Sequence, residues 1–368
     1  MDHLLEVLKI LDGAVNADHA KVASYAEQLA LKLESGGDSR SAERVRRTVR
    51  GGRMTELSGA RLNPSLPVDS ESRLALADER HFKHDEICVF LDAATQTRVT
   101  DFVRYVGASA RLLASGVGIA PSLLLHGPPG TGKTELAKYV SAQLSLPLLT
   151  ARTDALVSSY LGSTSKNLRL LFEHAMGRPC VLFLDEFDAV AKLRDDQHEL
   201  GELKRVVVTL LQNMDALDNK TVILAATNHE HLLDAAVWRR FAFRLKIGLP
   251  GPAIREQMFG HFLANHRPVK LAFDQLAVAT EGLSGADIQE LCNDARREAV
   301  LSDAEHVSVN GLLMRIARSR YPELESFPIR DQMVALRELN PKLFTIRRIS
   351  ELLGISTGKI STLLREEQ

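Results

Sequence analysis

The chain has 368 residues, 45% of them hydrophobic, and its 46 Lys and Arg nearly cancel its 47 Asp and Glu. That length predicts two or three domains at roughly 100–200 residues each, and the near-neutral balance excludes a polyanion-binding field spread over the whole surface. Three widely spaced cysteines, Cys88, Cys180 and Cys292, exclude a disulfide framework or a CxxC zinc site and read as buried small hydrophobes in a reducing compartment.

Early acidic residues (Asp2, Glu6) and the lack of a long apolar run argue against a signal peptide or a membrane span, so a soluble cytoplasmic protein is expected. From residue 4 to 34, apolar residues such as Leu4, Leu8, Leu11, Tyr25 and Leu29 recur at helical spacing, and Gly36-Gly37 ends the run. A basic helix is predicted over 39–50, with Arg40, Arg44, Arg46, Arg47 and Arg50. Those arginines form a solvated face or meet an acidic partner. A helical module over 1–52 and a Gly, Ser and Pro-rich linker over 53–72 follow from this pattern.

Beyond a helix predicted over 95–115, the apolar run Leu123-Leu124-Leu125 reads as a buried parallel strand. It runs into Gly127-Pro128-Pro129-Gly130-Thr131-Gly132-Lys133-Thr134, with a helical pattern from Glu135. This is a P-loop in the required strand–loop–helix setting. The glycines let backbone N–H groups turn towards phosphate oxygens, and the helix N-terminus adds its positive end. Lys133 is placed for the β- and γ-phosphates of ATP and Thr134 for Mg²⁺. Strands are then predicted over 146–150, 180–184 and 222–226, and helices over 165–176 and 202–213. The alternation predicts an α/β fold with a parallel sheet covered on both faces. After Leu249-Pro250-Gly251-Pro252 the pattern is all helical, over 253–266, 271–280 and 285–302, which predicts a second, smaller domain.

Val181-Leu182-Phe183-Leu184-Asp185-Glu186 has the Walker B form. Asp185 suits a Mg²⁺ site through water, and Glu186 suits orientation and deprotonation of the attacking water. Asp188 is read as capping the helix that follows. Asn228, just after a strand, can hold the attacking water and the γ-phosphate together. Arg239 and Arg240 suit a phosphate whose charge spreads in the transition state.

Together these pieces resemble the AAA branch of the AAA+ ATPases, from about residue 86 to about residue 309, and the adjacent arginines look most like its meiotic-clade (katanin-like) members. The resemblance implies a P-loop parallel-sheet large domain over 73–250, a helical lid over 251–310 and a further helical extension over 311–368. It implies that Arg239 and Arg240 reach the ATP of a neighbouring subunit in a ring, usually a homohexamer. It also implies that Gly285 and Ala286, in Gly-Leu-Ser-Gly-Ala-Asp at 282–287, form the lid contact with the nucleotide. Tyr160 and Leu161 fall where the family carries its aromatic pore loop, although a smaller residue is common at the second position. The segment 192–203 falls where a second pore loop would lie.

The tail departs from the family. Helices over 345–354 and 357–366 flank Ile355-Ser356, and apolar Ile349, Leu352, Leu353, Ile360 and Leu363 would close a small core. This resembles a helix-turn-helix, with five basic residues against three acidic from Lys342 to Gln368. DNA and protein docking both stay open for it. Three functions follow: a ring motor that remodels a protein substrate, a DNA-associated regulator using the tail, and a motor serving a separate protease or adaptor. The chain has no His-Glu-x-x-His of its own.

Overall fold

Residues 7, 9, 19–35, 38–51, 66–69, 73–156, 161–176, 178–188, 200–217, 220–268 and 271–365 are described by the computed structural model. The chain divides into two units, Met1–Leu66 and Pro67–Gln368. In the first, helices α1 (His19–Ser35) and α2 (Ser39–Gly51) pack as a pair. Buried Ala26, Ala30 and Ala42 allow the close approach. Arg46 of α2 reaches Glu27 and Glu34 of α1 at 2.8 and 3.0 Å. One arginine of the basic helix therefore serves the pair itself, neither a free solvated face nor a partner.

The second unit carries strands β1 (Ala77–Arg80), β2 (Ser122–His126), β3 (Leu148–Ala151), β4 (Cys180–Leu184), β5 (Thr221–Thr227) and β6 (Phe243–Lys246). Their order in the sheet is β1-β3-β4-β5-β2-β6. All neighbours run parallel except β1, which pairs antiparallel with β3 through Ala77 opposite Ala151. Every residue of β4 and β5 is buried, as expected of central parallel strands covered on both faces. Interleaved helices are α3 (Ala93–Gly107), α4 (Ser109–Ala114), α5 (Lys133–Leu144), α6 (Thr153–Leu156), α7 (Leu161–Met176), α8 (Leu200–Asp215) and α9 (Ala235–Arg240).

The predicted helix over 95–115 is two helices. Asp92 caps α3 by accepting from Thr95 N at 2.9 Å, and the chain breaks at Ala108 before α4. The strand expected at 146 starts at Leu148 because Ser145 turns left-handed (φ 54°) and Leu146 N bonds back to Ser141 O. β1 and β6 are additional to the four predicted strands. Cys180 and Cys292 are buried, whereas Cys88 is exposed, against the expectation that all three lie inside.

After β6 come α10 (Pro252–Leu263), α11 (Phe273–Ala279), α12 (Gly285–Leu301), α13 (Val309–Arg320), α14 (Ile329–Leu339), α15 (Ile346–Leu353) and α16 (Thr357–Arg365). The helix expected to run to 266 stops at Leu263, where Ala264 takes φ 40° and a short 3₁₀ turn follows. Buried Arg255 of α10 donates to Pro250 O (2.6 Å) and Ala277 O (2.7 Å), pinning the first lid helix to the connecting segment. From α10 to α16 the apolar side chains share one core, from Phe259 and Ile288 to Phe344, Ile349 and Ile360. A separate core under the sheet gathers Phe102, Leu125, Val140, Phe183 and Leu224. Among the described residues no helix is long and apolar enough to cross a membrane.

Candidate active site

The site lies at the C-terminal ends of β4, β5 and β2, which are adjacent in that order. Strands sit about 4.8 Å apart, so β4 and β2 are roughly 10 Å apart with the end of β5 between them. Gly127 ends β2 at φ 144°, and a Cβ there would lie 2.0 Å from the carbonyl oxygen of Ile247. Only glycine fits that approach. Gly130 (φ 72°) faces Ser284 and Ala286 of the lid, where a Cβ would meet Ser284 Oγ at 2.5 Å. Gly132, at φ 90°, opens α5.

Lys133 is 7% exposed, and its Nζ donates to the carbonyls of Gly127 (2.9 Å) and Pro128 (2.7 Å). Thr131 Oγ1 donates to the same Pro128 carbonyl at 2.9 Å, while Pro128 and Pro129 themselves are exposed. Burial pulls the Lys133 pKa down, and the nearby Asp185 and Asp188 charges pull it back up. Thr134 Oγ1 donates to Asp185 Oδ2 at 2.8 Å. The other oxygen, Oδ1, accepts from Glu186 N at 3.0 Å. Glu186 has φ 49°, a left-handed conformation costing a non-glycine residue about 1–3 kcal/mol. That turn lets Asp185 face the P-loop while Glu186 is exposed.

Asp188, expected to cap the helix that follows, immediately precedes residues outside the described ones. Its Oδ1 accepts from Thr227 Oγ1 at 2.8 Å, and Thr227 Oγ1 also accepts from His229 N at 3.0 Å. The Thr227 hydroxyl thus ties the end of β5, where half-buried Asn228 follows, to the turn after β4. A second tie was equally unforeseen. His126, the last residue of β2, bonds through Nδ1 to Glu230, which also lies 3.7 Å from Lys246. The His126 bond is the main cause of a Glu230 pKa below the usual carboxylate value. The ring of Trp238 meets His126 edge-on at 5.2 Å. Helix α9 is thereby braced against the strand that enters the P-loop.

The two arginines at the end of α9 differ. Arg240 makes a two-pronged pair with Asp215 of α8, both contacts 2.9 Å, which holds the Asp215 carboxyl below its usual range. Arg239 is exposed and makes no ion pair among the described residues. On the lid side, Ser284 and Asp287 form a capping box at the start of α12, and Ala286 N donates to Gly130 O at 3.0 Å. A Cβ on Gly285 would come within 3.4 Å of that same carbonyl. Tyr160 and residues 192–199 lie outside the described residues, and Leu161 is the first residue of α7.

The residues fit a triphosphate with Mg²⁺. Left-handed glycines leave a cradle that side chains would fill, a buried ammonium lies across it, and Thr134 and Asp185 set two hard oxygen donors side by side.

Comparison with known proteins agrees with this geometry. Residues 123–249 match the family model for ATPases associated with various cellular activities (AAA), and residues 270–311 match the AAA+ lid domain. The chain is 35% identical over 331 residues to the AAA family ATPase y4kL of Sinorhizobium fredii, covering 88% of this chain and 98% of that one. It is 38% identical over 201 residues to proteasome-activating nucleotidase 1 of Halobacterium salinarum, covering 52% of this chain and 50% of the relative. With the ATP-dependent zinc metalloprotease FtsH of Ruminiclostridium cellulolyticum it shares 36% identity over 205 residues, 54% of this chain and 33% of the relative. The chain thus spans nearly all of y4kL but half or less of the other two. The chain belongs to the AAA family of ATPases. Its activity is the hydrolysis of ATP.

Proposed function

We propose that this ATPase is a homohexameric ring motor that pulls, unfolds or otherwise remodels a protein substrate through a central pore. The observation that supports it most is the 2.8 Å bond between Thr134 and Asp185, which joins the P-loop to the carboxylate pair over the end of β5. In this reading the backbone of 127–132, including Pro128, Pro129 and Thr131, wraps the phosphates. Lys133 trades its bonds to the Gly127 and Pro128 carbonyls for phosphate oxygens. Thr134, and through water Asp185, would hold Mg²⁺, which when bound would supply positive charge against the phosphates. Glu186 accepts the proton of the attacking water, and Asn228 orients that water. Gly285 and Ala286, resting on Gly130, set the lid against the nucleotide.

Arg239 and Arg240 complete the site of the neighbouring subunit. Arg239 is free to do so, while Arg240 must first exchange Asp215 for phosphate. Tyr160 and Leu161 grip the substrate by apolar contact that is nearly independent of its sequence. A peptidase partner on a separate chain is a second reading. Two relatives are named for proteasome activation and metalloprotease activity, and this chain carries no His-Glu-x-x-His.

The test is Glu186→Gln. Binding of a fluorescent ATP analogue should persist, turnover should fall about 10²–10⁴-fold, and a ring-sized species should accumulate with ATP on gel filtration. Unchanged turnover overturns Glu186 as the base. A monomer at every ATP concentration overturns the ring.

A further inference from the structure

The tail is the part of the chain that ATP hydrolysis leaves unexplained. Helices α14, α15 and α16 bury Met333, Leu336, Ile349 and Ile360 completely, in the core that also holds the lid. The Thr345 hydroxyl caps α15 by accepting from Arg348 N at 3.3 Å, and Gly354 ends it at φ 66°. Ile355 N then returns to Ser350 O at 3.2 Å, and Ser356 Oγ accepts from Lys359 N at 3.4 Å at the start of α16. A tight turn is therefore fixed between two helices that lean on a third. That is the arrangement by which a recognition helix is presented to the major groove of DNA.

The outward surface indicates the partner. Ser356, Thr357, Gly358, Lys359 and Thr362 are exposed, and so are Lys342 and Arg347 at the approach to α15. A Cβ at Gly358 would meet nothing within 4 Å, so this helix has open space in front of it. From residue 330 to 362 there is no exposed large hydrophobic side chain. A protein interface needs buried aromatic or aliphatic anchors at its centre, and residues 342–362 offer none. Hydroxyls, a glycine and cations suit phosphates and base edges. The one carboxylate on α15, Glu351, lies 3.4 Å from Arg347 and 3.5 Å from Asn310. From Lys342 to Gln368 the net charge is +2.

We propose that α16 is a DNA-recognition helix and that this ATPase docks on duplex DNA through residues 356–362, with Lys342, Arg347 and Lys359 on phosphates. The shared core makes α14 to α16 one body with the lid, so the DNA is held by the element that also touches Gly130.

The experiment is fluorescence anisotropy of the full chain with a labelled duplex of about 30 base pairs, at about 50 and about 200 mM salt. Three neutralised phosphates predict an affinity about 40-fold lower at the higher salt. Lys359→Glu should weaken binding at least about tenfold and flatten the salt dependence by one to two phosphates, while its DNA-free ATPase rate stays at the wild-type value. Arg347→Glu, whose parent side chain is 88% exposed, is the independent second variant and should act in the same direction. Absence of binding at low salt, affinity indifferent to salt, or wild-type affinity in both variants overturns the proposal. So does a protein that is lost from the Lys359→Glu chain while the wild-type chain ignores duplex DNA.

Discussion

Around Lys133 the molecule is joined by a few polar bonds between residues far apart in sequence: Thr134 to Asp185, Thr227 to Asp188, His126 to Glu230, Ala286 to Gly130. Around Phe259, apart from local polar ties such as Arg255 to Pro250 and Ala277, helices from Pro252 to Arg365 share a continuous apolar core. The first region stores strain, with Glu186 at φ 49° and Gly127 against the Ile247 carbonyl. The second carries its strain at helix ends, with Ala264 at φ 40° after α10 and Asp303 at φ 51° after α12. Directional bonds suit a site that must hold and release a charged ligand, because each can be exchanged for a phosphate or a water. Non-directional burial suits a lid that must move as a body, since its stability is spread over many contacts.

That difference can be broken experimentally, and the largest effect should come from the apolar side. Phe259 is fully buried, so Phe259→Ala should lower unfolding stability by about 3–5 kcal/mol in a urea titration. Well below its melting temperature, the same variant should keep kcat within a few fold. A collapse of kcat in a fully folded Phe259→Ala protein would mean that the two regions are not separable.

A smaller effect is expected at the polar side. Thr227→Val keeps the shape of a buried residue but leaves Asp188 without its donor, costing about 1–3 kcal/mol. Here the loss should appear mainly in kcat, because Asn228 follows directly, with KM for ATP nearly unchanged. If KM rises and kcat holds, Thr227 acts on binding and not on the position of Asn228.

The smallest effect concerns Glu230, whose carboxylate is 40% exposed and therefore well screened. Its folded pKa is lowered, chiefly by the bond to His126, so its contribution is present above the ordinary value of 4.5 and fades as pH falls through the lowered one. Glu230→Gln should cost a few tenths of a kcal/mol near neutrality, and the gap between variant and wild-type urea midpoints should close below pH 4.5. A gap that widens on acidification would reverse the assignment.

Much of this was readable in one dimension. The P-loop carries its own reasons in its residue types, and Cys180–Leu184 has the ends that its apolar run predicts, because a strand buried on both faces admits no polar residue. Helix ends were less legible. Ser145 and Ala264 stop elements by left-handed turns that neither residue type announces. β1 and β6 were missed for a related reason: Ala-Asp-Glu-Arg and Phe-Arg-Leu-Lys are short and mixed, and become strands only because a neighbouring strand supplies the hydrogen bonds.

By itself, then, the sequence marked out the candidates: which residue types suit phosphate, which suit a hard cation and which carboxylate follows the buried strand. These are local properties of residue type and spacing. Pairing belongs to the tertiary structure. The strand order alone sets β5 between β4 and β2 and so brings Thr227 to Asp188, and the neighbouring ends of β2 and β5 bring His126 to Glu230. Likewise, apolar spacing at 349–360 forecasts a helix pair but not that it closes the lid's own core, since periodicity marks a face to be buried without saying against what.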